Sequence, residues 1–252
     1  MPDTVSAENY RRMLSGIMDE VSQQASGPVQ DAAELIAASL LAGGVLQAFG
    51  SGHSEALAME LAGRAGGLVP TNRIALRDVV VHGGESPDVL GRGILERDPE
   101  IAGRLYDLAS PSPQDVFVIA SSSGVNGSIV EMARIAKSHA HPVIAITSLA
   151  HTRGVESRHP SGAKLVDLAD VVLDNGAPYG DAVLDLPDGG RVCAVSSVTA
   201  ALLAQMLTAE VVRRLLESGE TPPVYLSANV PEGDEHNRVL EERYAGRIRR
   251  TA

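Results

Sequence analysis

The stretch that decides the fold is Val45-Leu-Gln-Ala-Phe-Gly50-Ser-Gly52-His-Ser54-Glu55. Five uncharged residues run up to Gly50, as in a strand buried on both faces. Gly50 and Gly52 then permit a tight turn that a side chain would block. Ser54 is placed to cap a helix starting at Glu55. Such a strand, loop and helix start aims backbone N–H groups and hydroxyls at one spot, where the helix dipole favours an anion. The stretch reads as an anion site, with phosphate the leading ligand.

Working outward, the same pattern returns. Asp115-Val-Phe-Val-Ile-Ala120 is a second buried strand, followed by the loop Ser121-Ser-Ser123-Gly124-Val-Asn126-Gly-Ser128 and a helix from Ile129 to His139. Ser128 with Glu131 has the spacing of a capping box. Pro142 to Thr147 and Asp170 to Asp174 read as further strands, and Val69–Ala75 and Val79–Val81 as short ones. Two helices, over residues 4–26 and 29–42 with Gly27-Pro28 between them, precede the first strand. Further helices are expected over Glu55–Gly66, most of 89–109, Ser196–Leu216 and Asp234–Arg250, with a hairpin over 182–194 around Pro187-Asp-Gly-Gly190. Strands alternating with helices predict an α/β fold with a mostly parallel, doubly wound sheet in three layers. No low-complexity linker divides residues 1–252, so one domain is expected. It has a helical segment over 1–43, a sheet core over 44–220 and a C-terminal tail helix over 221–252.

Composition removes several function classes. Hydrophobic residues are 44% of the 252, enough for a substantial core, but aromatics are only 3% and there is no tryptophan. Stacking platforms for single-stranded nucleic acid need more aromatic surface than that. A net charge of −11 disfavours a duplex partner. The lone Cys193 rules out an intramolecular disulfide and fits a reducing compartment, and Arg191-Val-Cys-Ala-Val reads as a buried strand. Met1 to Glu20 carries charges throughout, unlike a signal peptide. No run of about 18 residues is apolar enough to span a bilayer. The expected setting is the cytoplasm, with neither a membrane nor a nucleic acid as partner.

The phosphate ligand is a small one. A Walker loop needs a lysine after glycine, yet the only lysines are Lys137 and Lys164, and neither follows one. A dinucleotide fingerprint needs a third glycine where this chain has Glu55, which would crowd and repel a pyrophosphate. Two serine-bearing loops suit a single phosphoryl group held by hydroxyls and amides. In open α/β sheets such a site lies beyond the carboxyl ends of the strands.

Gly50-Ser-Gly52-His-Ser54 and Ser121-Ser-Ser123-Gly124-Val-Asn126 resemble the paired loops of the sugar isomerase (SIS) domain. Further matches are Thr147-Ser148, Ser157-Arg-His159-Pro-Ser161-Gly162, Asn175 with Gly180-Asp181, and Ser227-Ala-Asn229 with Asn237. The resemblance covers nearly the whole chain and points to a branch of small single-domain bacterial members. It implies a five-stranded sheet flanked by N-terminal helices and a C-terminal helix. In that family the serine-rich loops hold the phosphate of a phosphosugar. Some members look like phosphoheptose isomerases, and others like lyases acting on N-acetylglucosamine 6-phosphate or N-acetylmuramic acid 6-phosphate. The phosphate and substrate candidates are then Ser51, Gly52, Ser54, Ser121, Ser122, Ser123, Gly124, Asn126 and Ser128, with His159 in substrate binding or anchoring its loop. A homodimer or larger homo-oligomer is implied, with no cofactor.

An open-chain phosphosugar is an aldehyde with an acidic C2 hydrogen, so the chemistry needs a base and a donor for the resulting enediolate. Glu60, on the helix leaving the first loop, is the first candidate base; Glu55 lies too near the phosphate. His53 is placed to touch the sugar. The resemblance suggests that His236, on the last helix, opens the ring. His82 and Glu85 share a glycine-rich loop that can reach a neighbouring site, while His139 and His141 read as solvated. His53, Glu60 and His236 would hold zinc only if the fold gathered them; their spacing is not that of a compact ligand set, so no metal is expected. The leading reading is a lyase (dehydratase) on a hexosamine 6-phosphate, ahead of an aldose–ketose isomerase. A non-catalytic sensor ranks last, because no basic helix-turn-helix precedes residue 43.

Overall fold

The computed structural model describes residues 5–93 and 95–249. Five strands form one parallel sheet: β1 Leu46–Gly50, β2 Thr71–Ile74, β3 Val116–Ala120, β4 Val143–Thr147 and β5 Val171–Asp174. Their order is β2-β1-β3-β4-β5, with every pair parallel. This is the doubly wound arrangement expected, and its order reverses between β1 and β3.

Side chains alternate across the sheet with the period of two that strands impose. Leu46, Ala48, Val116, Val118, Ile144 and Ile146 face one core, while Phe49, Phe117, Ile119, Val143 and Ala145 face the other. Over the first face lie α2 (Ser26–Leu41), α3 (Glu55–Leu61) and α9 (Ser196–Glu217); over the second lie α4 (Asp78–Val81), α5 (Glu100–Ala109), α6 (Gly127–Ser138) and α8 (Leu165–Leu168). Both faces being covered explains why these strands are continuous apolar runs. The first helix, α1 (Ala7–Gln24), packs against α9 and the hairpin β6 (Ala182–Asp185)–β7 (Arg191–Ala194). The strand β4 leads into the short α7 (Leu149–Arg153), and α10 (Gly233–Glu242) lies near the chain's end.

Several expectations shift. The break between α1 and α2 is at Ala25, and Gly27-Pro28 sits inside the first turn of α2, where proline's missing N–H costs nothing. The helix begun at Glu55 ends at Leu61 rather than Gly66, because the chain at Gly66 and Gly67 pairs with the backbone of Tyr225. Val79–Val81 is helical, not a strand; Asp78 draws the chain into that turn by accepting from the Ala75 N–H, and three residues are too few for periodicity to decide. Over 89–109 the chain forms two 3-10 turns, Pro87–Arg92 and Leu95–Arg97, before α5. The last helix stops at Glu242; Thr4 and Arg250, the expected ends of the first and last helices, lie outside the described residues. Cys193 is half-buried in β7, a hairpin strand with exposed neighbours, not in a buried strand.

At the amino-terminal end of the sheet, buried Asp115 accepts from Val45 N–H (2.9 Å), Gln47 Nε2 (2.8 Å), Ser112 N–H (3.1 Å) and Arg247 Nη2 (2.6 Å). One carboxylate therefore ties β1, the entry to β3 and the C-terminal segment together. Beside it, His141 is buried rather than solvated. Its Nδ1 lies 3.0 Å from the Asp115 carbonyl oxygen and its Nε2 2.9 Å from the Tyr106 hydroxyl. His139 stays exposed and stacks on the Tyr106 ring.

Candidate functional site

The carboxyl ends of the strands open into a cleft of about 410 Å³ at the β1/β3 reversal. The loop after β1 supplies Ser51, His53 and Ser54, and the loop after β3 supplies Ser121, Ser122, Ser123 and Asn126. Further along the sheet, His151 on α7 and Asn175, Gly180 and Asp181 after β5 continue the lining. Ser196, Ser197 and Ala200, from the first turns of α9, complete it.

The first loop turns tightly because Gly50 is there. A Cβ on Gly50 would stand 2.3 Å from the Ser54 carbonyl oxygen. Gly52–Ser54 is a 3-10 turn that runs into α3. Ser54 does not cap that helix with its side chain, contrary to expectation. Its backbone N–H instead closes the turn onto the Ser51 carbonyl (3.1 Å), leaving the hydroxyl on the cleft wall. Glu55 pairs with Arg77, so its carboxylate is drawn away from the lining.

The second loop is held from behind. The Ser121 carbonyl accepts from Thr147 Oγ1 (2.6 Å), the Ser122 carbonyl from Ser148 N–H (3.2 Å) and the Ser123 carbonyl from Thr152 Oγ1 (3.0 Å). Trans peptide planes set each following N–H opposite its carbonyl. With those carbonyls committed to the β4 side, the amides of Ser122 and Ser123 face the other way, towards the cleft. Gly124 takes φ +67°, which lets its N–H turn back to Ser121 Oγ at 3.0 Å. The hydroxyls of Ser51, Ser122, Ser123 and Ser197 have no hydrogen-bond partner among the described residues. No lysine or arginine is among the described residues lining the cleft, so an anion there would meet hydroxyls, amides and imidazoles.

The start of α9 is already occupied by a carboxylate. Asp181 accepts from Val195 N–H (3.1 Å), Ser196 N–H (2.8 Å) and Ser196 Oγ (2.6 Å). It acts as a cap, with its acceptor capacity largely used.

Other sequence-predicted residues lie elsewhere. Ser128 forms no capping box: it is the second residue of α6, buried, and donates from Oγ to the Glu96 carbonyl at 2.8 Å. Glu131 is engaged instead by Arg134 and by His159 Nε2 at 2.8 Å. His159 also meets Ser161 Oγ at 2.7 Å, so it pins its loop to α6 outside the lining. Glu60 sits one helical turn beyond Ala56 and pairs with Arg64 and Gln205, beside a separate shallow groove. His236 meets the Val224 carbonyl at 2.9 Å in a groove under α10. His82 is exposed, and Glu85 pairs with Arg104. One chain therefore brings His53 to the cleft but not Glu60, His236, His82 or Glu85. Among the described residues, no three His, Cys, Asp or Glu side chains gather in a metal-binding group.

Neither His151 nor Ser197 stands in a stretch of sequence that marks it as a site residue. Both follow elements that were themselves legible, β4 and the start of α9. The rule that places ligands at strand carboxyl ends would have drawn attention to His151.

The SIS domain family model matches residues 9–148. The UPF0309 protein lmo0025 of Listeria monocytogenes is 40% identical over 233 residues, covering 92% of this chain and 94% of that protein. Among solved structures, a phosphoheptose isomerase from Francisella tularensis superposes with a TM-score of 0.56 at 17% identity, over 81% of this chain and 95% of that one. The phosphoheptose isomerase of Neisseria gonorrhoeae gives a TM-score of 0.53 at 18% identity, over 79% and 93%. At these identities the two structures establish likeness of fold. The family match across both serine loops, with a relative aligned over nine-tenths of the chain, settles descent: this chain belongs to the SIS domain family.

Proposed function

We propose that the cleft binds a phosphosugar and that the chain is an enzyme acting on it. The observation that carries this reading is the facing pair of loops at the β1 and β3 tips. Together they line one cleft with the unpartnered hydroxyls of Ser51, Ser122 and Ser123, beside the amides of Ser122 and Ser123. That donor set fits a single phosphoryl group. Gly52, Gly124, Ser54, Ser121 and Asn126 shape or flank the same crook, and His53 stands at its rim.

The leading reaction is dehydration of N-acetylglucosamine 6-phosphate. A base takes the C2 proton of the open-chain aldehyde, the electron pair forms the C2–C3 double bond, and the C3 hydroxyl leaves with a proton as water. Apolar residues in the cleft lining (Ala56, Leu57, Ala120, Ile146, Ala194, Ala200) give an N-acetyl methyl somewhere to sit. The second reading, an aldose–ketose isomerase, is favoured by the activity named for the Francisella neighbour; shared fold alone carries no reaction. A homodimer with clefts near the interface is part of this proposal, and a partner copy is the route by which Glu60 or His236 would reach a cleft. The lone cysteine and such a substrate fit a cytoplasmic setting.

Mass spectrometry after incubation with N-acetylglucosamine 6-phosphate tests the reaction. Loss of one water marks the lyase; the isomerase, which needs a C2 hydroxyl that N-acetylglucosamine 6-phosphate lacks, is marked instead by a new ketose of unchanged mass from a heptose phosphate or another 2-hydroxy aldose phosphate. The Ser122→Ala variant should weaken phosphosugar binding about tenfold, the worth of one hydrogen bond to a charged group, with folding intact. Unchanged affinity in calorimetry would remove Ser122 from the phosphate site.

A further inference from the structure

We propose that the β4–β5 end of the cleft is its reacting end. There His151 moves the substrate's C2 proton and the Asn175 amide holds the oxygen on which charge develops. This rests on the phosphosugar reading above and assigns its chemistry to residues other than those the sequence suggested.

The cleft holds few groups that can move a proton. Its titratable lining groups among the described residues are His53, His151 and Asp181. Asp181 is spent on the start of α9, where it takes three hydrogen bonds. The two imidazoles remain, and position separates them. His53 belongs to the 3-10 turn that forms the phosphate crook itself. His151 lies after β4, one strand beyond β3, and Asn175 lies after β5, one strand further. Neighbouring strands are about 4.8 Å apart. A phosphate seated between the β1 and β3 tips therefore leaves a six-carbon chain to run across β4, bringing its carbonyl end towards His151 and Asn175.

Both side chains are prepared for a partner that the chain does not supply. The His151 backbone is fixed by its N–H donating to Ser148 Oγ at 3.0 Å, and its ring rests against Tyr179, with centroids 5.2 Å apart. Nδ1 is shut off from solvent without a hydrogen-bond partner, so Nε2, which also has no partner among the described residues, is the ring nitrogen left to face the cleft. Asn175 is only 2% exposed. Its Oδ1 accepts from the Ala177 N–H at 3.0 Å, which fixes the amide orientation and leaves Nδ2 as the free donor. A donor held in advance at the position of a developing oxyanion is what enolate formation requires. In the proposed step the C2–H bond breaks, its proton goes to His151 and its electron pair passes to the carbonyl oxygen, where Asn175 donates. The oxygen's pair then re-forms the C1 carbonyl, the C2 electrons make the C2–C3 double bond, and the C3 hydroxyl leaves as water with the proton from His151; in an isomerase acting on a 2-hydroxy aldose phosphate, His151 gives the proton to C1 while the C2 hydroxyl proton passes to O1.

Hydrogen–deuterium exchange at C2, followed by NMR in D₂O with N-acetylglucosamine 6-phosphate, reads this step whatever the product. The unsubstituted chain should exchange the C2 proton. The His151→Gln variant should bind the phosphosugar within about threefold of wild type, keep its melting temperature and lose exchange by about 100-fold or more. Asn175→Asp, which keeps the Ala177 contact but removes the donor, should lose exchange while still binding inorganic phosphate. A phosphosugar that binds wild type without C2 exchange, or a folded His151→Gln variant exchanging within about tenfold of wild type, overturns this inference and leaves phosphosugar binding standing. Failure of wild type to bind the phosphosugar overturns both. As an independent check, the His151 ring resonances should shift on adding N-acetylglucosamine 6-phosphate and not with inorganic phosphate; ring resonances that ignore the sugar overturn the assignment.

Discussion

At the scale of single residues, Gly50 sets the shape of the first loop through the space it leaves empty. A methyl group there would collide with the backbone at Ser54, so the turn must open to admit it. Gly50→Ala should cost about 2–4 kcal/mol in urea unfolding and abolish phosphosugar binding, because it displaces backbone rather than a flexible side-chain tip. His141 provides a pH signature. Burial pushes its pKa down, outweighing the opposite pull of the Asp115 carbonyl and carboxylate. The unfolded chain therefore takes up a proton that the folded one resists. The stabilisation is fully present above the ordinary imidazole value of 6.5 and is lost as pH falls through that value towards the lowered one. Denaturation midpoints measured from pH 8 to 5 should fall on acidification, and His141→Asn should flatten that slope.

At the scale of elements, the two ends of the sheet do different work. The carboxyl end is left with unpaired hydroxyls, whereas the amino end is tied together by a buried carboxylate. Asp115, 0% exposed, joins β1, β3 and the C-terminal segment through four donors. Asp115→Ala would strand the Val45 N–H and the Gln47 amide in the core and leave Arg247 without its carboxylate. The expected loss is about 3 kcal/mol, measured by chemical denaturation, with the cleft distant from the damage. Helices show the same division. Asp181 caps α9 with a carboxylate, while α6 begins at Asn126 with no side-chain cap, and its start faces the serine loop. The chain thus caps α9 with a distant carboxylate, whereas the first turn of α6 is covered by the Leu95–Arg97 turn through Ser128 and the Glu96 carbonyl.

For the whole molecule, the order β2-β1-β3-β4-β5 places the reversal between the two serine loops and runs the remaining cleft along β4 and β5. Beside that cleft, Met59 on α3 is 52% exposed and Val198 on α9 is 39% exposed. Apolar side chains flanking a site fit a surface covered by a second copy. Sedimentation velocity at micromolar concentration should therefore give a dimer, and Met59→Glu should shift it towards monomer. A wild-type monomer at that concentration would leave Glu60 and His236 with no route to a cleft.

The sequence by itself determined the layers and the serine-loop end of the cleft. The runs ending at Gly50, Ala120 and Thr147 announce buried parallel strands, and the serines that follow two of them are local in the chain. Local signals fail where the partner is distant. Ser128 and Glu131 carry capping-box spacing, but Glu96 and His159, each about 30 residues away, claim them instead. His141 resembles a solvated helix end until Tyr106 and Asp115 close over it. Only the tertiary structure decided that Glu60 turns to Gln205 and that His151 on α7 and Asn175 after β5 line one cleft. Strand order governs which loops become neighbours, and that order comes from long-range packing of two apolar faces, which no stretch of sequence contains on its own.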